Sequence, residues 1–276
     1  MKIIADTATL FSPEQGRDLG ITIVPVSVAI NNQTYKDYVD ISSSEFIRLI
    51  KEGGLPTSSQ PSVGELLEAL EGCTEDVILL TVADGLSGGY QTALGAKNML
   101  DNNDHIHVIN SKSLAGPLRY LAKKAVALKK QGLAIQQVLD SLMDSVNNSI
   151  SFVVPEDFEF LKRSGRLTAI TARVGGALKL LPILTQTDDR RRIKPIGVKR
   201  SWKAALEVII HRLQNLEIGK DYLLSVCHTG TPERAEAAGA QIKETFPHNE
   251  IEILELCPAL ITHGGPGCIV VQAVKK

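Results

Sequence analysis

Apolar positions in the first half of the chain follow two alternating patterns. Short apolar runs without strict alternation occupy residues 2–5, 23–30, 77–82 and 105–110, which predicts strands. Between them the 3.6-residue spacing of an amphipathic helix occupies 44–51, 63–70, 90–100 and 114–131. Unbroken apolar strands belong to sheets covered on both faces, and strand–helix alternation belongs to a mostly parallel sheet between helices. Ligands of such sheets sit at the carboxyl ends of the strands. The pattern shifts at Ile150-Ser151-Phe152-Val153-Val154-Pro155. Beyond it the spacing predicts a helix over 156–163 and a glycine-interrupted helix over 168–178. Strands follow at 181–186 and 193–199, then a helix at 204–216, a strand at 222–227, a helix at 232–245, and strands at 250–256 and 268–274. The expectation is an α/β protein of two domains. Residues 1–153 would form a three-layer domain around a parallel sheet, and residues 154–276 a two-layer α/β domain with a mixed sheet. No long linker separates them, so they should pack tightly and enclose a cleft.

Composition narrows the function more than the fold. The formal net charge is −1 and aromatic residues are 4% of the chain, which argues against a broad nucleic-acid-binding face. The segment Met1-Lys2-Ile3-Ile4-Ala5-Asp6 runs straight into a strand pattern without a basic leader, and no apolar run approaches a membrane span. A cytoplasmic protein with no stable membrane insertion is expected. Cys73, Cys227, Cys257 and Cys268 are scattered, and neither their spacing nor Cys227-His228 with His263 suits a structural zinc site, so no metal is expected. There is no P-loop and no dinucleotide fingerprint, hence no expected cofactor.

Two hydroxyl-rich turns carry the candidate chemistry. Pro56-Thr57-Ser58-Ser59-Gln60-Pro61-Ser62 leads into the helix at 63–70, with Ser62 and Glu65 spaced as a capping box. Gly85-Leu86-Ser87-Gly88-Gly89-Tyr90 leads from a strand into the helix at 90–100. Helix N-termini offer unpaired N–H groups and partial positive charge, and hydroxyls beside them complete a pocket for a carboxylate or phosphate. Gly85-Leu86-Ser87-Gly88-Gly89 also fits the G-x-S-x-G nucleophile elbow, with His263 later and Asp188, Asp189 or Asp221 between. A serine hydrolase using Ser87 and His263 is therefore the alternative, although four residues separate Val82 from Ser87 and no HGGG-like oxyanion loop precedes it. His263-Gly264-Gly265-Pro266-Gly267 reads as a rigid turn whose imidazole could donate to a carboxylate. Basic groups cluster at Lys162-Arg163-Ser164-Gly165-Arg166, with Arg173 and Lys179 beyond, and at Arg190-Arg191-Arg192, which reads as an exposed hairpin tip. The small side chains of 169–178 would leave room for a flexible hydrocarbon between the domains.

Six segments in order resemble the DegV family of fatty-acid-binding proteins, over the whole chain. They are Ala5-Asp6-Thr7-Ala8-Thr9, Ser58-Ser59-Gln60-Pro61-Ser62, Leu86-Ser87-Gly88-Gly89-Tyr90-Gln91-Thr92-Ala93, Asn110-Ser111-Lys112-Ser113, Leu161-Lys162-Arg163-Ser164-Gly165-Arg166 and the final His263-Gly264-Gly265-Pro266-Gly267. Ser58 and Gly89 stand where the family usually carries Thr, and Asn110 where it carries Asp. The resemblance implies a non-enzymatic two-domain carrier that buries a long-chain fatty acid in a tunnel between its domains. It implies that Ser58 (with Ser59), Ser87 and the Gly88 N–H meet the carboxylate, supported by Arg200 and His263. It also implies that a fatty acid kinase catalytic subunit is the partner, with Arg166 and Arg173 facing it.

Overall fold

The computed structural model describes residues 1–168 and 180–276. The predicted helix at 168–178 therefore falls, apart from its first residue, outside the described residues, as does the Arg173 of the expected kinase-facing side. The N-terminal part runs β1 (Lys2–Asp6), α1 (Pro13–Leu19), β2 (Thr22–Val24), β3 (Ser27–Ile30), β4 (Gln33–Lys36), α2 (Ser43–Lys51), β5 (Thr57–Ser59), α3 (Val63–Leu70), β6 (Val77–Thr81), α4 (Gly89–Asn98), β7 (Ile106–Asn110), α5 (Ala115–Lys130) and α6 (Ile135–Asn147). Strands β2-β1-β6-β7 form a parallel sheet in that order. One face of it is covered by α3 and α4 through Leu66, Leu70, Ala93 and Ala96. The other is covered by α5 and α6 through Leu118, Leu121, Val138 and Leu142. Burial on both faces explains why β6 reads Val-Ile-Leu-Leu-Thr without alternation, every residue of it buried.

The C-terminal part runs β8 (Ser149–Val154), α7 (Phe158–Ser164), β9 (Leu181–Gln186), β10 (Ile193–Lys199), α8 (Trp202–Asn215), β11 (Tyr222–His228), α9 (Pro232–Thr245), β12 (Glu250–Glu255), α10 (Pro258–Gly264) and β13 (Ile269–Lys275). Its sheet has the order β10-β9-β8-β13-β11-β12, antiparallel except for the parallel pair β11–β12. Helices α8 and α9 cover one face through Leu206, Ile209, Leu213, Ala235 and Ile242. The expected boundary at 153/154 lies inside β8, which pairs wholly within this sheet.

Helix α5 joins the two halves, packing on β1 and β6 on one side and on β11 and β13 on the other. The approach is close at Gly116, where a Cβ would stand 2.0 Å from Ser225 Oγ. Beside it the fully buried Gln272 accepts from the Gly116 N–H at 3.0 Å and donates to the Leu114 carbonyl at 3.0 Å and to Ser151 Oγ at 2.8 Å. Each polar group in this dry contact is thus answered, as burial demands.

Several elements depart from the predicted ones. The strand expected at 23–30 is two strands in different sheets, β2 in the parallel sheet and β3 in the antiparallel sheet β4-β3-β5. Pro25 between them has no N–H for a ladder, so the chain turns out of the first sheet there. Helix α6 carries the stripe Ile135, Val138, Leu139, Leu142, Val146, a full helical period that the predicted elements lack. Helices α1 and α10 are seven residues each, too short for a period to stand out. Their signals are Pro at N1 of both, the Ser12–Gln15 capping box of α1, and glycine at both C-caps. The three arginines at 190–192 lie in the β9–β10 hairpin loop as expected, Arg191 and Arg192 exposed, and each is also bonded. Arg190 donates to the Val146 and Asn147 carbonyls at 2.6 and 2.9 Å, Arg192 to the Gly165 carbonyl at 2.7 Å, and Arg191 pairs with Asp84.

Candidate functional site

A pocket with about 890 Å³ of empty space, counted out to its open mouth, lies where β1 and β6 end, against β13 and α10. That is where ligands of a parallel sheet are expected. Its wall is mostly apolar, including Val26, Val82, Leu114, Val153, Leu161, Ile193, Leu260 and Val270. Set into it are the polar side chains of Asp6, Ser58, Gln60, Ser87, Arg166 and His263.

Ser58 is placed by β5, whose pairing sets it opposite Val28 of β3. Alternation along the strand gives Ser58 one face and Thr57 and Ser59 the other. Ser58 lines the pocket, and Ser59 is exposed outside it. His263 is presented from the last turn of α10, not from a turn ahead of the final strand as its sequence suggested. Ser58 Oγ and His263 Nε2 share a hydrogen bond of 2.9 Å across the pocket. Burial, and then the nearby positive Arg166, push the His263 pKa down to about 4, so the ring is neutral at pH 7.

Ser87 closes the loop after β6. Asn110, at the end of β7, accepts from the Asp84 and Lys112 N–H groups at 3.2 and 2.9 Å and so holds that loop. The Ser87 hydroxyl accepts from the Gly89 N–H at 3.1 Å at the start of α4. Ser62 and Glu65 form the expected capping box on α3. Gly88 is exposed beside Ser87 and approaches Gln60, whose Nε2 would stand 2.9 Å from a Cβ there. Arg166, expected to face a partner, lines the pocket, donating from Nε to the Leu86 carbonyl at 3.1 Å and from a terminal nitrogen to the Ser164 carbonyl. Arg200 stands exposed just past β10 and does not line the pocket. The structure thus brings Ser58, Ser87, His263 and Arg166 together.

Asp6 is the pocket residue that reasoning from motifs passed over as a site. It sits at the carboxyl end of β1, 7% exposed, and accepts from the Ala8 N–H at 2.8 Å. Burial raises its pKa to about 7 against that hydrogen bond, and the neighbouring Asp37 adds to the rise. Asp37 is fully buried and accepts from Thr7 Oγ1 at 2.9 Å and the Ala259 N–H at 3.4 Å, and its other oxygen has no partner. Burial lifts its pKa to about 6. An acidic residue ending the first strand of a parallel sheet was the available signal.

The hydrolase arrangement is not assembled. His263 bonds Ser58 rather than Ser87, and Ser87 is not among the residues at positive φ that a strained elbow would show. Asp188 pairs with Lys194, and Asp189 accepts from Thr187 and the Arg191 N–H. Among the described residues no group of three or more His, Cys, Asp or Glu could hold a metal ion, and no helix is long and apolar enough to cross a membrane.

An α/β fold with an apolar pocket between a parallel and a mixed sheet, rimmed by serines and a histidine, defines a class of small-molecule binding proteins. Residues 1–276 match the family model described as uncharacterised protein, DegV family, and the chain belongs to the DegV family. It is 30% identical over 276 residues to a DegV domain-containing protein of Halalkalibacterium halodurans, covering 97% of this chain and 95% of that one. Among solved structures it resembles a fatty-acid-binding DegV family protein from Thermus thermophilus, with TM-score 0.89, 25% identity and coverage of 100% and 99% of the two chains. It also resembles a DegV family protein from Ruminococcus gnavus with vaccenic acid, with TM-score 0.89, 25% identity and 98% of each chain covered.

Proposed function

We propose that this protein is a cytoplasmic, non-enzymatic carrier that binds a long-chain fatty acid in the pocket between its two halves. Ser58, Ser87, His263 and Arg166 hold the carboxylate, and the head group is offered to a fatty acid kinase for acyl phosphate formation. The observation that carries the reading is the Ser58–His263 hydrogen bond at the rim of an apolar pocket, with Arg166 beside it. These rim groups are half-buried, whereas Val82, Leu161, Cys268 and Val270 are buried, so the polar end of a ligand faces out and the chain runs inward. The fatty acid ligands of family members agree with that chemistry.

Magnitudes give the parts different tasks. Burying a methylene contributes ~0.8 kcal/mol, so a chain of about fifteen contributes roughly 12 kcal/mol before ordering costs. Hydrogen bonds to the carboxylate add about 2–3 kcal/mol net and fix its direction. A bound anion also favours protonated His263, which burial and Arg166 disfavour in the empty pocket. Organic extraction of the purified protein followed by mass spectrometry tests the reading. A fatty acid present at about one per chain is the expected result, and a protein that neither carries nor takes up fatty acid refutes it.

A further inference from the structure

A second concave site lies on the other side of the loop that follows His263. It has about 1140 Å³ of empty space counted to its open side, between the end of α2, the start of α7 and the β11–α9 turn. We propose that it binds a phosphoryl group, free or carried by a small organic molecule, on the turn Thr229-Gly230-Thr231 at the N-terminus of α9.

Four observations converge on that turn. Thr229 is 1% exposed and lines the groove, yet its hydroxyl has no hydrogen-bond partner. The buried hydroxyl of Thr231, also in the lining, has none either. Thr231 is the N-cap of the 14-residue α9 but makes no side-chain cap bond, and with Pro232 at N1, which has no N–H, the helix offers its positive end to the groove without the usual cap. Arg163 and Lys51 line the same groove and have no carboxylate partner among the described residues.

The acids around the groove are already engaged. Glu156 accepts from Arg234 at 2.7 Å, Asp157 accepts from the Glu159 N–H at 2.9 Å, and Glu159 pairs with Lys162 at 3.4 Å. Glu233, in the first turn of α9, does not line the groove. What remains without a polar partner is two hydroxyls and two cations beside the positive end of α9, with Arg163 also lying over the Phe160 ring and Asp157 keeping its charge at the rim. A phosphoryl group supplies several acceptor oxygens and more charge than a carboxylate, and matches that set. Backbone bonds hold the turn rigid, from the Gly267 N–H to the Thr229 carbonyl and from the Thr229 N–H to the Cys268 carbonyl, each 3.0 Å. The donors are therefore arranged before a ligand arrives.

The test is thermal unfolding and calorimetric titration of the full chain at constant ionic strength. Titrants are sodium phosphate, phenyl phosphate, sodium acetate and sodium chloride. Saturable stabilisation by phosphate or phenyl phosphate, absent with chloride and weaker with acetate, is expected. Tighter phenyl phosphate assigns an organic phosphate, and equal or weaker phenyl phosphate assigns the free ion. Thr229→Val keeps the shape and removes only an unbonded hydroxyl, so it should fold as well as wild type while phosphate affinity drops about tenfold. Arg163→Met keeps an apolar side chain over the Phe160 ring that the guanidinium covers, should also weaken phosphate, and serves if the first variant misfolds. Phosphate no better than chloride, acetate equal to phosphate, or affinity unchanged in both variants overturns the proposal. Fatty acid content does not enter any of these readouts.

Discussion

The two walls of the pocket differ in what they contribute. The N-terminal wall supplies Ser58, Ser87 and Asp6 from strand ends and a helix-capping loop, each positioned by bonds within its own part. The C-terminal wall supplies most of the apolar surface together with the positive and imidazole groups, Arg166 and His263. Neither wall is a site alone. The hydrogen bonds that make it one, Ser58 to His263 and Arg166 to the Leu86 carbonyl, cross from one part to the other. Local capping can preset a hydroxyl, but the partner that gives it chemistry arrives only when α5 docks both sheets.

That contrast predicts where damage should be greatest. Gly116→Val drives a side chain into Ser225 at the shared helix and should cost about 3 kcal/mol or more, read as a lower urea midpoint, with the pocket lost alongside. Unchanged stability would mean that the two halves do not depend on that contact.

A smaller effect separates the acidic wall from the imidazole wall. Asp6 and Asp37 hold protons in the fold between about pH 4 and 7 that the unfolded chain has released, so they reduce stability as pH rises through that window. His263 acts in the opposite sense: below its unfolded pKa near ~6.5 the unfolded chain binds a proton that the fold refuses down to about 4, so it reduces stability as pH falls. Asp6→Asn mimics the protonated acid. Its margin over wild type should grow by on the order of 2 kcal/mol between pH 5 and pH 8 in denaturant unfolding. An equal margin at both pH values would show that Asp6 is not desolvated.

The smallest effect sharpens the division of labour within the proposed ligand site. Ser58→Ala should weaken fatty acid binding about tenfold or less, because it removes one hydrogen bond and leaves the chain contacts intact. Competition with a fluorescent fatty acid measures it, and complete loss of binding would mean that the head group, not the tail, sets affinity.

Local pattern was enough for much of this. The buried run of β6, the capping box at Ser62 and the loop around Ser87 are written in neighbouring residues, because strand burial and helix capping are short-range physics. Motif order also groups Ser58, Ser87 and His263, and all three line the pocket. It does not reach what depends on distant backbone: Ser59 falls on the outer face of β5, Arg200 stays exposed past β10, and Arg166 donates to a carbonyl 80 positions away. Short elements such as α10 and β5 were hidden because two turns or three residues are too short to show a period.

The sequence by itself therefore determined the α/β class, the parallel sheet with its covered faces, and the residue types available to meet a carboxylate. The tertiary structure decided which of them face one another. It set Ser58 against His263, desolvated Asp6 and Asp37, lowered the imidazole pKa, and left Thr229 unanswered at the second groove. Burial and partnership are properties of groups far apart in the chain, and only folding brings those groups within the few ångströms at which they act.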